Sequence, residues 1–235
     1  MIHACIRRIQ LFFIGNRFGV SLSSYANSEH YFLDSLENGL KYGNLIITPE
    51  EALNAQRYIS GLKLDTYHNS PLNFKIEENF RTLLQLIILK KQPKLLVETG
   101  VANGVSTQII LIGSKMYNGF LHSFDIDPMT EEVGRKYLNW KFHVLNKSKA
   151  WKDLLNKINR IGAVDMWIHD SDHSFYWQYS EYNLAWKILR PGGVLLSDDI
   201  DTSEAWFKFC QKNKLKSCVI LDNRKLIGFV VKNAF

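Results

Sequence analysis

The chain is predicted to adopt a doubly wound α/β fold: a mostly parallel sheet of seven strands, with a C-terminal antiparallel hairpin and a helical N-terminal extension. Three observations carry this. From about residue 74 onward, short runs apolar on both faces alternate with longer stretches of helical periodicity, the pattern of a buried parallel sheet covered by helices on both sides. The closing stretch, CVILDNRKLIGFVVKN, places two apolar runs around Asp222-Asn223-Arg224 and reads as a hairpin. Residues 1 to about 70 instead show helical stretches and scattered turn residues (Gly39, Gly43, Pro49, Gly61) without a clear strand pair.

In the extension, Ile2, Ile6 and Ile9 recur at helical spacing beside Arg7 and Arg8. A helix packed on the main domain or on a second subunit is favoured there over one lying on a membrane surface. Thr48, Pro49 and the following EEALNAQRYI mark a helix start, with Thr48 as N-cap and Pro49 at the first helical position. The polar stretch KLDTYHNSPLN is the boundary, which puts the extension, a lid or an oligomer contact, at 1–72 and the main domain at 73–235. The main domain opens with a helix over 74–90, whose Phe80, Leu83, Leu84, Ile87 and Ile88 share one face and which stops before Pro93. Strands at 94–98, 119–125, 141–145, 164–169 and 193–197 then alternate with helices at 105–117, 131–138, 151–161, 175–189 and 203–213. In such a sheet, ligands bind beyond the carboxyl ends of the strands, near the point where strand order reverses.

Bulk properties narrow the class. With 235 residues, 46% of them hydrophobic and 22% charged, the chain can fill one large globular core. Its apolar stretch 83–89, broken only by Gln85, falls far short of the ~20 residues of a membrane span. No signal peptide is read at the N-terminus: Arg7 and Arg8 interrupt the apolar stretch, and Asn16 and Arg17 stand where a small-residue cleavage site is expected. Cys5, Cys210 and Cys218 form neither a paired framework nor a zinc spacing, which fits a reduced, cytoplasmic compartment. The net charge of +6 arises at the two ends: residues 1–20 carry three bases and no acid, and residues 201–235 carry seven bases against three acids. Solvated lysines on terminal helices are favoured there over a nucleic-acid patch.

Two constellations carry chemistry. In LVETGVANGVST, Glu98 and Gly100 end the first strand of the main domain. Gly100 permits a tight turn, Gly104 admits a ligand or the next helix at close range, and Ser106 and Thr107 begin a helix whose free N–H groups face the turn. Asp125 follows Gly104 by 21 residues at the end of the next strand, where its carboxylate can accept the hydroxyls of a ribose. The competing reading of Asp125 alone is a loop acid capping the next helix. Together the turn and the acid suit a nucleoside. The second constellation is HDSDHSF with SDDI, which sets Asp170, Asp172, Asp198 and Asp199 at two strand ends, Asp198 coming 28 residues after Asp170. Carboxylates converging there repel unless a positive group lies among them, and Mg²⁺ or another hard divalent cation suits such oxygen ligands. Helix capping is the alternative.

Four motifs in order, LLVETGVANGVST, HSFDIDP, VDMWIHDSDHSF and LRPGGVLLSDDI, resemble those of the class I S-adenosylmethionine-dependent methyltransferases. The likeness covers about residues 73–232 and is nearest to the small bacterial branch of sugar, macrolide and catechol-type O-methyltransferases. It implies a Rossmann-like sheet and S-adenosylmethionine as cofactor. It sets Glu98, Gly100, Asn103, Ser106 and Thr107 at the methionine-side turn and Asp125 on the ribose. Ser148 matches a position near the adenine, although Lys147 stands where an acid often precedes it. Asp170, which also lines the cofactor side, matches with Asp198 and Asp199 the magnesium-binding pattern of the metal-dependent relatives. A bound cation would lower the pKa of a substrate hydroxyl.

His173 occupies the place of the catechol-type lysine, and Asp172 that of the base in some sugar enzymes. The imidazole is favoured as base because it titrates near neutral pH unaided. His169, inside the strand, is read as a core histidine. Phe175, Tyr176, Trp177 and Tyr179 are candidates for a wall against a flat or sugar-like acceptor.

The expected activity is metal-assisted O-methylation of a hydroxyl on a small molecule or saccharide, with homo-oligomerisation through the N-terminal region. The alternatives are a non-catalytic cofactor-binding partner subunit and an NAD(P)-dependent oxidoreductase. The second is disfavoured by the lack of G-x-G-x-x-G after the first strand. Nucleic acid is disfavoured as acceptor because the Asn-Pro-Pro-Tyr-type motif of base-methylating relatives is missing after the fourth strand.

Overall fold

The computed structural model describes Tyr25 and residues 30–65, 77–223 and 225–233. The expected helix around Ile2, Ile6 and Ile9, the start of the helix predicted from residue 74, and Arg224 lie outside the described residues.

One sheet organises the chain. Five strands run parallel in the order β6 (Trp140–Val144), β5 (Phe120–Asp125), β4 (Leu95–Thr99), β7 (Val164–His169) and β8 (Leu189–Ser197). Beyond β8, β10 (Lys225–Val231) runs antiparallel and pairs in turn with β9 (Cys218–Asp222), the predicted hairpin. Strand order reverses at β4, whose two neighbours are β5 and β7. The sheet alternates its buried side chains between two cores. Leu96, Met166, Ile168, Leu196 and Phe229 face one of them, and Val97, Trp167, Leu195 and Val230 face the other.

The sheet has eight strands, which corrects the expected seven. The eighth, β1 (Tyr31–Leu33), lies parallel to β9 at the edge. A two-stranded hairpin, β2 (Leu40–Tyr42) and β3 (Leu45–Ile47), turns through Gly43, whose φ is +57°. The extension is therefore not wholly helical. Strands of three residues are too short to show a periodicity, which is why the sequence pattern missed them. The hairpin is also not detached. Leu40, Leu45 and Ile47 join Phe80, Leu83 and Leu84 in one core, and Tyr42 stacks edge-on against Phe229 while its hydroxyl bonds the Lys216 carbonyl.

Helix α1 (Pro49–Ser60) starts as predicted. Thr48 accepts the Glu51 N–H at 3.2 Å, and the Glu51 carboxylate accepts the Thr48 N–H at 2.9 Å, a reciprocal cap. Helix α2 (Glu78–Lys91) is capped from a distance by Asp222, which accepts the N–H groups of Asn79 and Phe80 at 3.0 and 2.7 Å. Helix α3 (Val105–Lys115) follows β4, α4 (Ala150–Ile158) follows β6, α5 (Phe175–Ile188) follows β7, and α6 (Ala205–Lys212) follows β8.

The helix expected over 131–138 is instead a 3₁₀ turn, Pro128–Val133. It ends at Gly134, whose φ of −115° departs from helical geometry and which lies against the Trp140 ring, where any Cβ would stand 2.2 Å from Cε3. Helix α4 ends at Ile158, short of the expected 161, ahead of Gly162 at φ +86°. Among the described residues no helix is long and apolar enough to cross a membrane.

Candidate active site

The carboxyl ends of β4, β5, β7 and β8 are drawn together by backbone hydrogen bonds. Gly100 N–H donates to Phe124 O at 2.8 Å, Asp170 N–H to Thr99 O at 2.9 Å, and Asp198 N–H to His169 O at 3.0 Å. Gly100 has φ +84°, and a Cβ there would stand 1.9 Å from the Asp170 carbonyl oxygen, so only glycine fits. Gly104, at φ +78°, opens α3, and its missing Cβ makes room for Val133, the 3₁₀ turn, rather than for a ligand. Gly104, the N-cap of α3, has no side chain with which to accept the helix's first N–H groups.

Asp125 is fastened to this turn. One carboxylate oxygen accepts the N–H groups of Val101 at 2.7 Å and Ala102 at 3.2 Å, and the other accepts that of Asp127 at 2.9 Å. An ionised carboxylate offers about four acceptor positions, so three bonds leave capacity for one more donor.

Glu98 is fully buried behind the turn. It accepts hydroxyl bonds from Ser106 at 2.7 Å, Thr107 at 2.8 Å and Ser123 at 2.7 Å. Burial pushes its carboxyl up to about 7 against the pull of those hydroxyls. The side chains of Ser106 and Thr107 therefore point inward, to the acid that anchors α3 to β4. Asn103 is half-buried within the turn. Ser148 is exposed in the short 3₁₀ helix Lys147–Lys149 after β6, and its hydroxyl donates to Asn146 at 2.8 Å.

The acidic end forms around His173. Its Nε2 stands 3.7 Å from Asp170 Oδ1 and its Nδ1 stands 3.6 Å from Asp199 Oδ2. Burial alone would lower the imidazole pKa, but the attraction of Asp170, Asp199 and Asp198 outweighs it and raises the value. Asp199 holds a left-handed φ of +47° without being glycine. Thr202 Oγ1 donates to its carbonyl at 2.8 Å and Gln178 Nε2 at 3.3 Å, which fixes this uncommon backbone geometry. Asp172 points elsewhere: exposed, it caps the turn by accepting the Ser174 N–H at 2.8 Å.

Asp198 is almost fully buried and paired with Lys225, a residue the sequence reading did not single out. The Lys225 ammonium also stands 3.6 Å from Asp199 Oδ2. Burial disfavours a charged lysine, but Asp198 and Asp199 more than offset it and keep the ammonium charged. Of the four carboxylates brought to the strand ends, Asp170 and Asp199 meet at His173, Asp198 meets Lys225, and Asp172 stands apart.

Donor atoms of Asp170, His173 and Asp199 all lie within 4.8 Å of one another, a spacing one divalent ion can span. The second oxygen of Asp198, Oδ1, is buried without a hydrogen-bond partner among the described residues. The donor set therefore fits a cation at Asp170 and Asp199, with Asp198 held by the chain's own ammonium.

Beneath the site lies a network that sequence reasoning also missed. Glu181, fully buried on α5, accepts bonds from Thr99 and from the indole N–H groups of Trp167 and Trp177 at 2.9 Å, and stands 2.9 Å from His169 Nδ1. Burial pushes its carboxyl up, but the electrostatic pull of the nearby His169 ring and these bonds prevail and lower it. A lone Glu in an aromatic helix gave no signal of this role. Trp177 is thus turned inward, whereas Tyr176 is 83% exposed beside the site and Phe175 stacks on Tyr179 at 5.6 Å.

Residues 97–200 match the family model of a methyltransferase domain. No curated protein matches the chain. Solved structures share its fold. One is an O-methyltransferase from Bacillus cereus in complex with S-adenosylhomocysteine, at 14% identity and TM-score 0.55 over 83% of this chain and 93% of that one. A second is the O-methyltransferase TomG of Streptomyces achromogenes, involved in tomaymycin synthesis and in complex with S-adenosylmethionine, at 17% identity and TM-score 0.55 over 78% and 89%. A third is the S-adenosylhomocysteine-bound methyltransferase PaMTH1 of Podospora anserina, at 13% identity and TM-score 0.53 over 83% and 90%.

Proposed function

We propose that this chain, which carries a methyltransferase domain with the fold of the class I S-adenosylmethionine-dependent O-methyltransferases, methylates a hydroxyl oxygen of a small molecule or sugar. One observation carries the reading. Asp170 presses its backbone against Gly100 of the nucleoside-type turn while its side chain stands 3.7 Å from His173, so the cofactor seat and the proton acceptor share a single residue.

The turn after β4 and the start of α3 form the cofactor seat, with Asn103 in the turn. Asp125 has one acceptor position left for a ribose hydroxyl. Glu98, Ser106 and Thr107 hold the turn from behind, and Ser148 flanks the adenine end. When bound, S-adenosylmethionine supplies a sulfonium methyl: an oxygen–carbon bond forms as the sulfur–carbon bond breaks, leaving S-adenosylhomocysteine. His173 takes the hydroxyl proton, and the carboxylates of Asp170 and Asp199 stabilise the resulting imidazolium. Asp172, exposed and engaged in capping the Ser174 N–H, is the less suited base.

Asp170 and Asp199 are the residues that would hold Mg²⁺ or a similar ion, with Asp198 next to them; such an ion would polarise the acceptor hydroxyl. Tyr176, 83% exposed two residues after Ser174, is the aromatic proposed to meet an acceptor ring. Residues 1–72 are proposed to serve as a lid or an oligomer contact. The free, buried Cys210 and Cys218 support a cytoplasmic setting.

Calorimetry with S-adenosylmethionine and S-adenosylhomocysteine, followed by methyl transfer to a panel of hydroxylated acceptors with and without EDTA, tests the reading. Binding of both ligands and transfer that His173→Ala abolishes are expected. A protein that binds neither ligand would overturn it.

A further inference from the structure

Lys225 opens β10, and the register of β10 against β8 brings it level with the loop that follows β8: Gly228 pairs with Ser197, and Ile200 N–H donates to Leu226 O at 3.0 Å. Its side chain is 13% exposed and that of Asp198 2%, so their ion pair is nearly shut off from water. Asp199 Oδ2 stands 3.6 Å from both the Lys225 ammonium and His173 Nδ1. The oxygen that faces the proposed ion position is thus shared with an internal cation. The unpartnered Asp198 Oδ1 shows that one ammonium does not satisfy this carboxylate pair.

We propose that Lys225 is a tethered counter-cation that competes with a divalent ion for the Asp198–Asp199 pair and thereby sets how weakly the site holds that ion. The proposal rests on the ion reading above. An ammonium and a divalent cation repel at this range, and each draws on the same oxygens. With Lys225 in place, an entering ion is confined to the carboxylates of Asp170 and Asp199. Without it, both oxygens of the buried Asp198 are left without an internal cation, and an entering ion can draw on them as well.

Mn²⁺ is the probe, its free concentration read by electron paramagnetic resonance at saturating S-adenosylhomocysteine, on wild type, Lys225→Met and Lys225→Arg. Lys225→Met is expected to bind Mn²⁺ about tenfold more tightly or better, while Lys225→Arg, which keeps the charge, stays within about threefold of wild type. If Lys225→Met fails to fold, Lys225→Gln carries the same expectation. Mn²⁺ binding that is equal or weaker in the uncharged variant overturns this inference and leaves the ion reading standing. No Mn²⁺ bound by any variant, with S-adenosylhomocysteine still bound, overturns both. Loss of S-adenosylhomocysteine binding in the wild type overturns the proposed function itself.

Discussion

The carboxylate of Asp125 accepts the Val101 N–H at 2.7 Å, tying the end of β5 to the glycine turn that follows β4. With Ala102 and Asp127 as further donors, the acid holds the turn's shape as well as facing the proposed ribose. Asp125→Ala should therefore weaken S-adenosylhomocysteine binding about tenfold or more and also lower stability by ~1–3 kcal/mol, since backbone donors lose a charged acceptor. Calorimetry and urea unfolding separate the two effects. An unchanged affinity would remove Asp125 from the cofactor seat.

Gly100 and Gly162 make a matched pair. Both have φ near +85°, but a Cβ at Gly100 would strike the Asp170 carbonyl at 1.9 Å, whereas one at Gly162 meets nothing within 4 Å. Gly162→Ala should cost ~1 kcal/mol from backbone strain alone. Gly100→Ala should cost ~2–4 kcal/mol and abolish cofactor binding, because the turn must move. Equal losses in urea unfolding would mean that Asp170 yields freely.

Glu98 makes stability depend on pH. Its folded pKa of about 7 lies above the ordinary 4.5 because of burial. A raised folded pKa contributes stability that is complete below the unfolded value and is lost as pH rises through the folded one. The protein should thus lose stability between about pH 4.5 and 7 on this account, and Glu98→Gln should flatten that slope. Denaturant midpoints of both proteins at pH 5, 6, 7 and 8 check it. Parallel curves would show that Glu98 does not titrate in this window.

His173 should titrate above its ordinary value of 6.5, because Asp170 and Asp199 outweigh the opposing effect of burial. NMR titration of the EDTA-treated protein should show this, with the pKa falling in Asp199→Asn. The sign for stability is the same as for Glu98: the imidazolium's contribution is full below 6.5 and fades as pH rises through the raised pKa. A His173 pKa that does not respond to Asp199→Asn would place the two groups apart in solution.

The alternation of strands and helices, the closing hairpin and the Thr48 cap were legible in the sequence because each rests on local pattern: burial on both strand faces, turn chemistry, or a side chain reaching its own helix start. The glycine turn and the strand-end acids were legible for the same reason. Their positions follow from where strands stop. What each acid does was not. The sequence places Glu98, Ser106 and Thr107 at the turn, but that their side chains bond one another depends on what packs behind it.

Tertiary structure alone decided the rest. The three-residue β1 exists because β9 offers it an edge. Glu181 becomes the hub of a buried network only when α5 lays it over Thr99 and His169. Lys225 reaches Asp198 only through the pairing of β10 with β8, which joins residues 27 positions apart. Local sequence specifies backbone shape through steric and hydrogen-bonding preferences within a few residues. The partner of a buried charge is chosen by strand register, and register is set by the whole sheet.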